Sequence, residues 1–108
     1  MTRILLDECV PRRFRNELAD LDVSHVRDEQ WTGQRNGVLL RLMREAGFAT
    51  LVTVDRNLAY QQNVAAAGIA VIVLHARGNR VPDLAPLVPA LRTALAEAAP
   101  GQVIRVGS

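Results

Sequence analysis

Four short apolar runs, residues 4–6, 23–26, 51–54 and 69–74, punctuate the chain, and each is separated from the next by a segment of helical length. Short runs rich in β-branched residues, set between stretches of mixed apolar and polar character, are the pattern of strands alternating with helices. The intervening segments predict helices over residues 11–19, 36–46 and 57–67, a last helix within 83–98, and a final short strand over 103–106. Leu39, Leu42, Met43 and Ala46 form one apolar stripe, and Leu84, Leu87, Val88, Leu91 and Leu95 form another, as core-facing helices require. Asn36 is a candidate helix cap, and Gly47 and Gly68 stand where a left-handed residue ends a helix. Pro86 and Pro89 cannot both occupy an unstrained first turn, so the last helix is expected to begin irregularly and become regular after Pro89. Together these elements predict a single α/β domain over residues 1–108. It would be a three-layer α/β/α arrangement around a mostly parallel, twisted sheet of about 4–5 strands.

Composition narrows the chemistry. No apolar run approaches the roughly 20 residues of a membrane span, and Met1 to Asp7 is too short and too acidic for a signal peptide, so a cytoplasmic protein away from membranes is expected. The lone Cys9 can form neither an internal disulfide nor a thiolate zinc cluster, and a buried thiol is its default role. Net charge is only +2, so nucleic-acid binding has to be argued from where the charge lies. All 13 basic residues are arginine.

In a doubly wound sheet the ligand crevice lies beyond the carboxyl ends of the strands, where the strand order reverses. Asp7 ends the first strand and Asp55 the third, and in the order 2-1-3-4 those strands are neighbours at the reversal. Glu8 adjoins the first acid and Asn57 the second. Oxygen ligands gathered in this way suit Mg²⁺ or Mn²⁺. Asp55 is also well placed merely to cap the helix after it. Asp7 is not, because Pro11 at a first helical position would make Val10 the cap. Arg12, Arg13 and Arg15 crowd the start of the first helix, where the helix dipole disfavours cations; they are either a phosphate-contact patch or a solvated basic face. Arg56, Arg77 and Arg80 should share that rim. A phosphoacceptor receiver domain also carries acids after its first and third strands, but it needs a lysine after the fifth, and there is none. Trp31 reads as cover for the core edge before it reads as a platform for a base, and His25 and His75 lack ligand-spaced partners.

Ile4-Leu5-Leu6-Asp7-Glu8 followed by Pro11-Arg12-Arg13 resembles the opening of the short PIN-like proteins related to VapC-type toxins. The likeness continues through His25-Val26-Arg27-Asp28, Trp31-Thr32-Gly33, Asn36-Gly37, Leu51-Val52-Thr53-Val54-Asp55-Arg56-Asn57-Leu58 and Tyr60-Gln61-Gln62-Asn63, and covers most of residues 3–76. The resemblance implies a PIN-like fold and a Mg²⁺- or Mn²⁺-dependent endoribonuclease, the toxin half of a pair completed by a small antitoxin protein. It also implies Asp7, Asp55 and Glu8 as metal and catalytic residues, with Arg12, Arg13, Arg56, Asn57, Tyr60 and Gln61 facing RNA. Val38 and Asn57 stand where relatives often carry acids, which implies a weakened site unless Glu8, Asp28 or Glu29 compensates. The alternative is a PIN-fold module that binds RNA or a protein without catalysis, and the apolar last helix makes a homodimer a further expectation.

Overall fold

The computed structural model describes residues 2–58 and 64–107. Its strands are β1 (Arg3–Leu6), β2 (Val23–His25), β3 (Phe48–Thr53), β4 (Ala70–His75) and β5 (Val103–Gly107). They form one sheet in the order β2-β1-β3-β4-β5, and every pairing is parallel. A parallel sheet needs long crossovers, and helical segments supply them. They are a 3₁₀ segment (Arg12–Leu18), α1 (Asn36–Glu45), α2 (Val64–Ala67), α3 (Val81–Leu84) and α4 (Val88–Glu97), with a 3₁₀ turn (Ala85–Leu87) joining the last two. The Cα radius of gyration is 12.3 Å, as expected of a compact chain of this length.

Period-two alternation sorts the strand residues between two cores. Ile4, Leu6, Val52, Ile72, Leu74 and Val106 pack with Phe14 and Leu18 of the 3₁₀ segment and with Leu84, Leu91 and Ala94 of the C-terminal helices. On the other face Leu5, Leu51, Val71 and Val73 pack with Leu39, Leu40 and Met43 of α1, Leu58, and Val64 of α2. With helices on both faces, the central strands are buried on both sides, which is why β4 is apolar from Ala70 to Leu74. The expected stripe on α1 turns by one position: Leu40 is buried, whereas Leu42 is only half-buried. The stripe on the last helix is spent on the chain's own sheet, with Leu87, Val88 and Leu95 partly buried against that core.

The first helix departs from expectation. Residues 12–18 form a 3₁₀ segment rather than an α-helix, and Phe14 and Leu18, four apart, are the residues it buries. The expected helix over 57–67 is helical at Leu58 and over α2; residues 59–63 lie outside the described residues. The C-terminal segment divides into α3, the 3₁₀ turn and α4, each with a proline in its first turn, where a missing N–H costs no helical hydrogen bond. Among the described residues no helix is long and apolar enough to cross a membrane.

Candidate functional site at the carboxyl edge of the sheet

The strand order reverses between β1 and β3: from β1 the sheet grows one way to β2, and from β3 the other way to β4 and β5. Asp7 follows β1 directly, and Asp55 lies two residues past the end of β3, so both sit at the carboxyl edge beside the reversal. Leu6 is in register with Val52, and Asp7 N–H donates to the Val52 carbonyl at 2.9 Å. That makes Asp7 and Thr53 cross-strand neighbours, on the face of the sheet that Leu5 and Leu51 share with α1.

Asp7 is 6% exposed. A carboxylate buried to that extent needs donors, and the chain supplies three. The Glu8 N–H donates to Oδ1 at 2.9 Å, and the Thr53 hydroxyl donates to Oδ2 at 2.7 Å. The Cys9 thiol lies 3.5 Å from Oδ2 and 3.4 Å from Thr53 Oγ1. Burial pushes the Cys9 thiol up; the hydrogen bond to Thr53 works against this and the charge of Asp7 adds to it. At neutral pH Cys9 is therefore a weak S–H donor to Asp7 and not a thiolate nucleophile.

Thr53 joins the two acids. Its hydroxyl is given to Asp7, while the same oxygen accepts the Asp55 N–H at 3.0 Å. The Asp55 carboxylate in turn accepts the Asn57 N–H at 2.9 Å through Oδ1, and the Leu58 N–H donates to the Asp55 carbonyl at 3.4 Å. Asp55 thus closes the turn that leads into the next helix, the capping role its position suggested. Thr53 is a residue of this site that the acid pattern of the sequence does not single out. Its signal is a hydroxyl that closes the apolar run Leu51-Val52 at the end of β3, which burial obliges to find a partner.

The donors left at this edge are oxygens of the kind Mg²⁺ or Mn²⁺ takes. A carboxylate has about four lone-pair directions, and Asp7 uses three. One direction remains there, and Asp55 is half-buried with one oxygen engaged. These ions take one or two carboxylates and keep several waters, so an oxygen-only pair fits them. Among the described residues no group of three His, Cys, Asp or Glu side chains could hold a metal ion. The fit therefore rests on the two aspartates alone.

The other acids are engaged elsewhere. Glu8 is exposed, and its Oε1 accepts the Gly33 N–H at 3.3 Å, tying two loops together. Asp28 receives Arg12 in an ion pair, Arg15 at 2.8 Å and the His25 N–H at 3.3 Å. Burial acts to raise the Asp28 carboxyl, but the bonds from Arg12 and His25 and the charges of Arg12 and Arg15 hold it below the usual range. Glu29 pairs with Arg3 at 3.8 Å. The cations at the start of the 3₁₀ segment thus have a local explanation, since Asp28 neutralises two of them.

Of the residues expected to face substrate, Arg12 is committed to Asp28, Arg13 is exposed, and Asn57 closes the Asp55 turn through its backbone. Tyr60 and Gln61 lie outside the described residues. Arg27, Arg56, Arg77 and Arg80 are exposed on the segments after β2, β3 and β4, and none pairs with an acid among the described residues. His75 ends β4 on the same edge, with Nε2 buried and no hydrogen-bond partner among the described residues. Burial lowers its pKa, as do the charges of Arg56 and Arg105, so it is a neutral imidazole at pH 7. Trp31 packs edge-to-face on Phe48 at 5.9 Å and 76°, and covers the core edge.

His25, which has no ligand-spaced partner in sequence, is buried, with Nε2 2.7 Å from the Val10 carbonyl and Nδ1 accepting the Arg27 N–H at 3.0 Å. These partners define the neutral tautomer with the proton on Nε2. The ring pins the loops after β1 and β2, which are two walls of a cleft of about 440 Å³ that Glu8 also lines. No protein-family profile, curated protein or solved structure matches the chain.

Proposed function

We propose that the chain is a PIN-like endoribonuclease, with Mg²⁺ or Mn²⁺ held by Asp7 and Asp55. The observation that carries this reading is that the two aspartates follow neighbouring strands at the strand-order reversal, where Thr53 Oγ1 bonds both the Asp7 carboxylate and the Asp55 backbone N–H. A bound ion would supply an acidified water and offset charge on the scissile phosphate. The chain's own part is positional. Thr53 and the Glu8 N–H hold the Asp7 carboxylate in one orientation, and the Asn57 N–H holds that of Asp55. Arg27, Arg56, Arg77 and Arg80, without an acidic partner among the described residues, attract a phosphodiester strand and orient it over the acids. Glu8, engaged with Gly33, lies at the margin of this site as an assisting residue. In this reading the protein is the toxin of a pair, and its partner is a small antitoxin.

A second reading, a binding module without catalysis, draws support from the three hydrogen bonds that already satisfy Asp7 and from Val38 and Asn57 in place of acids. One experiment separates the two. Single-stranded RNA is incubated with wild type, Asp7→Asn and Asp55→Asn, in Mn²⁺ and in EDTA, while calorimetry follows Mn²⁺ binding. Mn²⁺-dependent cleavage and Mn²⁺ binding by wild type, both lost in each variant, are expected. RNA bound but never cleaved leaves the binding module, and cleavage indifferent to both substitutions removes the site.

A further inference from the structure

The cleft behind the loops after β1 and β2 is lined by Glu8 to Arg12, His25, Arg27, Thr32, Asn79 and Arg80. Its volume of about 440 Å³ lies within the range of small-molecule sites, about 300–1,000 Å³, and far exceeds what a lone carboxylate or phosphate fills. Its charge is uneven. Among the described residues Arg12 is neutralised by Asp28 and Glu8 is the only acid on the lining, which leaves Arg27 and Arg80 as cations without an acidic partner there. The floor is rigid, because the His25 ring is buried and both its nitrogens are used in holding the loops that carry Val10 and Arg27. A third wall comes from the segment after β4, where the Arg80 N–H donates to Asp83 at 3.3 Å and leaves the guanidinium outside that bond.

We propose that this cleft is a nucleotide-binding subsite. Arg27 and Arg80 hold the phosphate of one nucleotide of a single-stranded RNA, and Thr32 and Asn79 offer hydrogen bonds to its sugar or base. The guanidinium fork matches phosphate, the neutral amide and hydroxyl suit groups that carry no charge, and the volume accommodates more than the phosphate. The inference rests on reading this edge as facing RNA, but it does not require cleavage. His25 acts here as a positioning residue that sets the spacing of the two loops.

The test measures binding of a short fluorescein-labelled single-stranded RNA in EDTA, with adenosine 5′-monophosphate, inorganic phosphate or a poly-glutamate peptide as competitor. Arg27→Gln with Arg80→Gln should weaken RNA binding by at least about tenfold, the loss of one or two hydrogen bonds to a charged group. The slope of log K against log salt should become shallower by about 0.7, one phosphate on a single strand. Arg41→Gln, which removes an exposed cation from α1 outside the cleft, should leave binding unchanged. Adenosine monophosphate should displace RNA better than phosphate does, and only when both arginines are present. Unaltered melting of the double variant, both positions being exposed, establishes that the fold is intact, and Arg27→Lys with Arg80→Lys should recover part of the affinity. Binding unchanged in the glutamine double variant, or displacement by poly-glutamate as effective as by the nucleotide, overturns the assignment. If no cleavage is found but binding in EDTA depends on the two arginines, the nuclease reading fails and the subsite stands. If cleavage is found and the double variant binds as wild type does, the subsite alone fails.

Discussion

Thr53→Val offers the most direct test of the site's architecture, because it deletes one hydroxyl while keeping side-chain volume and β-branching. Thr53 is fully buried, so water cannot replace what is lost. Three hydrogen bonds disappear, of which the 3.4 Å contact with the Cys9 thiol is the weakest and adds little. The bond at 2.7 Å to the buried Asp7 carboxylate is of the charge-assisted class, worth about 1.5–3 kcal/mol. The bond at 3.0 Å from the half-buried Asp55 N–H is an ordinary one, worth about 0.5–1.5 kcal/mol. The added methyl returns up to about 0.8 kcal/mol through apolar burial. The net expectation is a loss of about 2–3 kcal/mol, which for a domain of this size lowers Tm by roughly 10–20 °C. Urea denaturation should show the midpoint falling at constant m, since the surface exposed on unfolding is the same. In a double-mutant cycle with Asp7→Asn the two losses should be non-additive by about 1 kcal/mol or more, because both substitutions weaken the same bond. A Thr53→Val protein within about 0.5 kcal/mol of wild type, or strict additivity with Asp7→Asn, would refute the claim that Thr53 holds Asp7.

Two further outcomes follow from the same geometry. Val38 lies in the first turn of α1, half-buried and on the side of the sheet that Asp7 shares, so Val38→Glu should cost little stability and gain from the helix dipole. Mn²⁺ should raise the Tm of Val38→Glu more than that of wild type, as added ligand charge tightens binding of hard cations; lowered stability without Mn²⁺ rescue would detach this position from the site. The Asp28 carboxyl is held below its unfolded value of about 3.9, so its stabilising contribution is complete above that pH and is lost as pH falls through the folded pKa. Asp28→Asn should therefore be less stable than wild type at pH 7, and the gap should narrow below about pH 4 in acid-unfolding curves. A gap that stays constant down to pH 2 would show that the clasp with Arg12 and Arg15 contributes nothing through its charge.

Sequence determined most of the scaffold, and for a physical reason. Burial on both faces obliges β1, β3 and β4 to be short apolar runs, and the crossovers between parallel strands must be long, so the alternation of strands and helices was legible from hydrophobic spacing, and the common doubly wound order then placed Asp7 and Asp55 at one edge. The irregular entry to the last helix was legible too, because proline removes a donor wherever it stands. Tertiary structure decided what each polar group does there. The partnership of Thr53 with Asp7 spans 46 positions and exists only because β1 and β3 pair in one register. Arg12 and Arg15 break a local dipole rule that Asp28, on the loop after a different strand, satisfies across space. His25 has no ligand-spaced partner in sequence because its partners are a carbonyl and an N–H on two separate loops, groups that every residue carries. Hydrophobic periodicity is a local property that one strand or helix displays by itself. Hydrogen bonds between distant side chains and backbone leave no such period, and only the folded register brings them within reach.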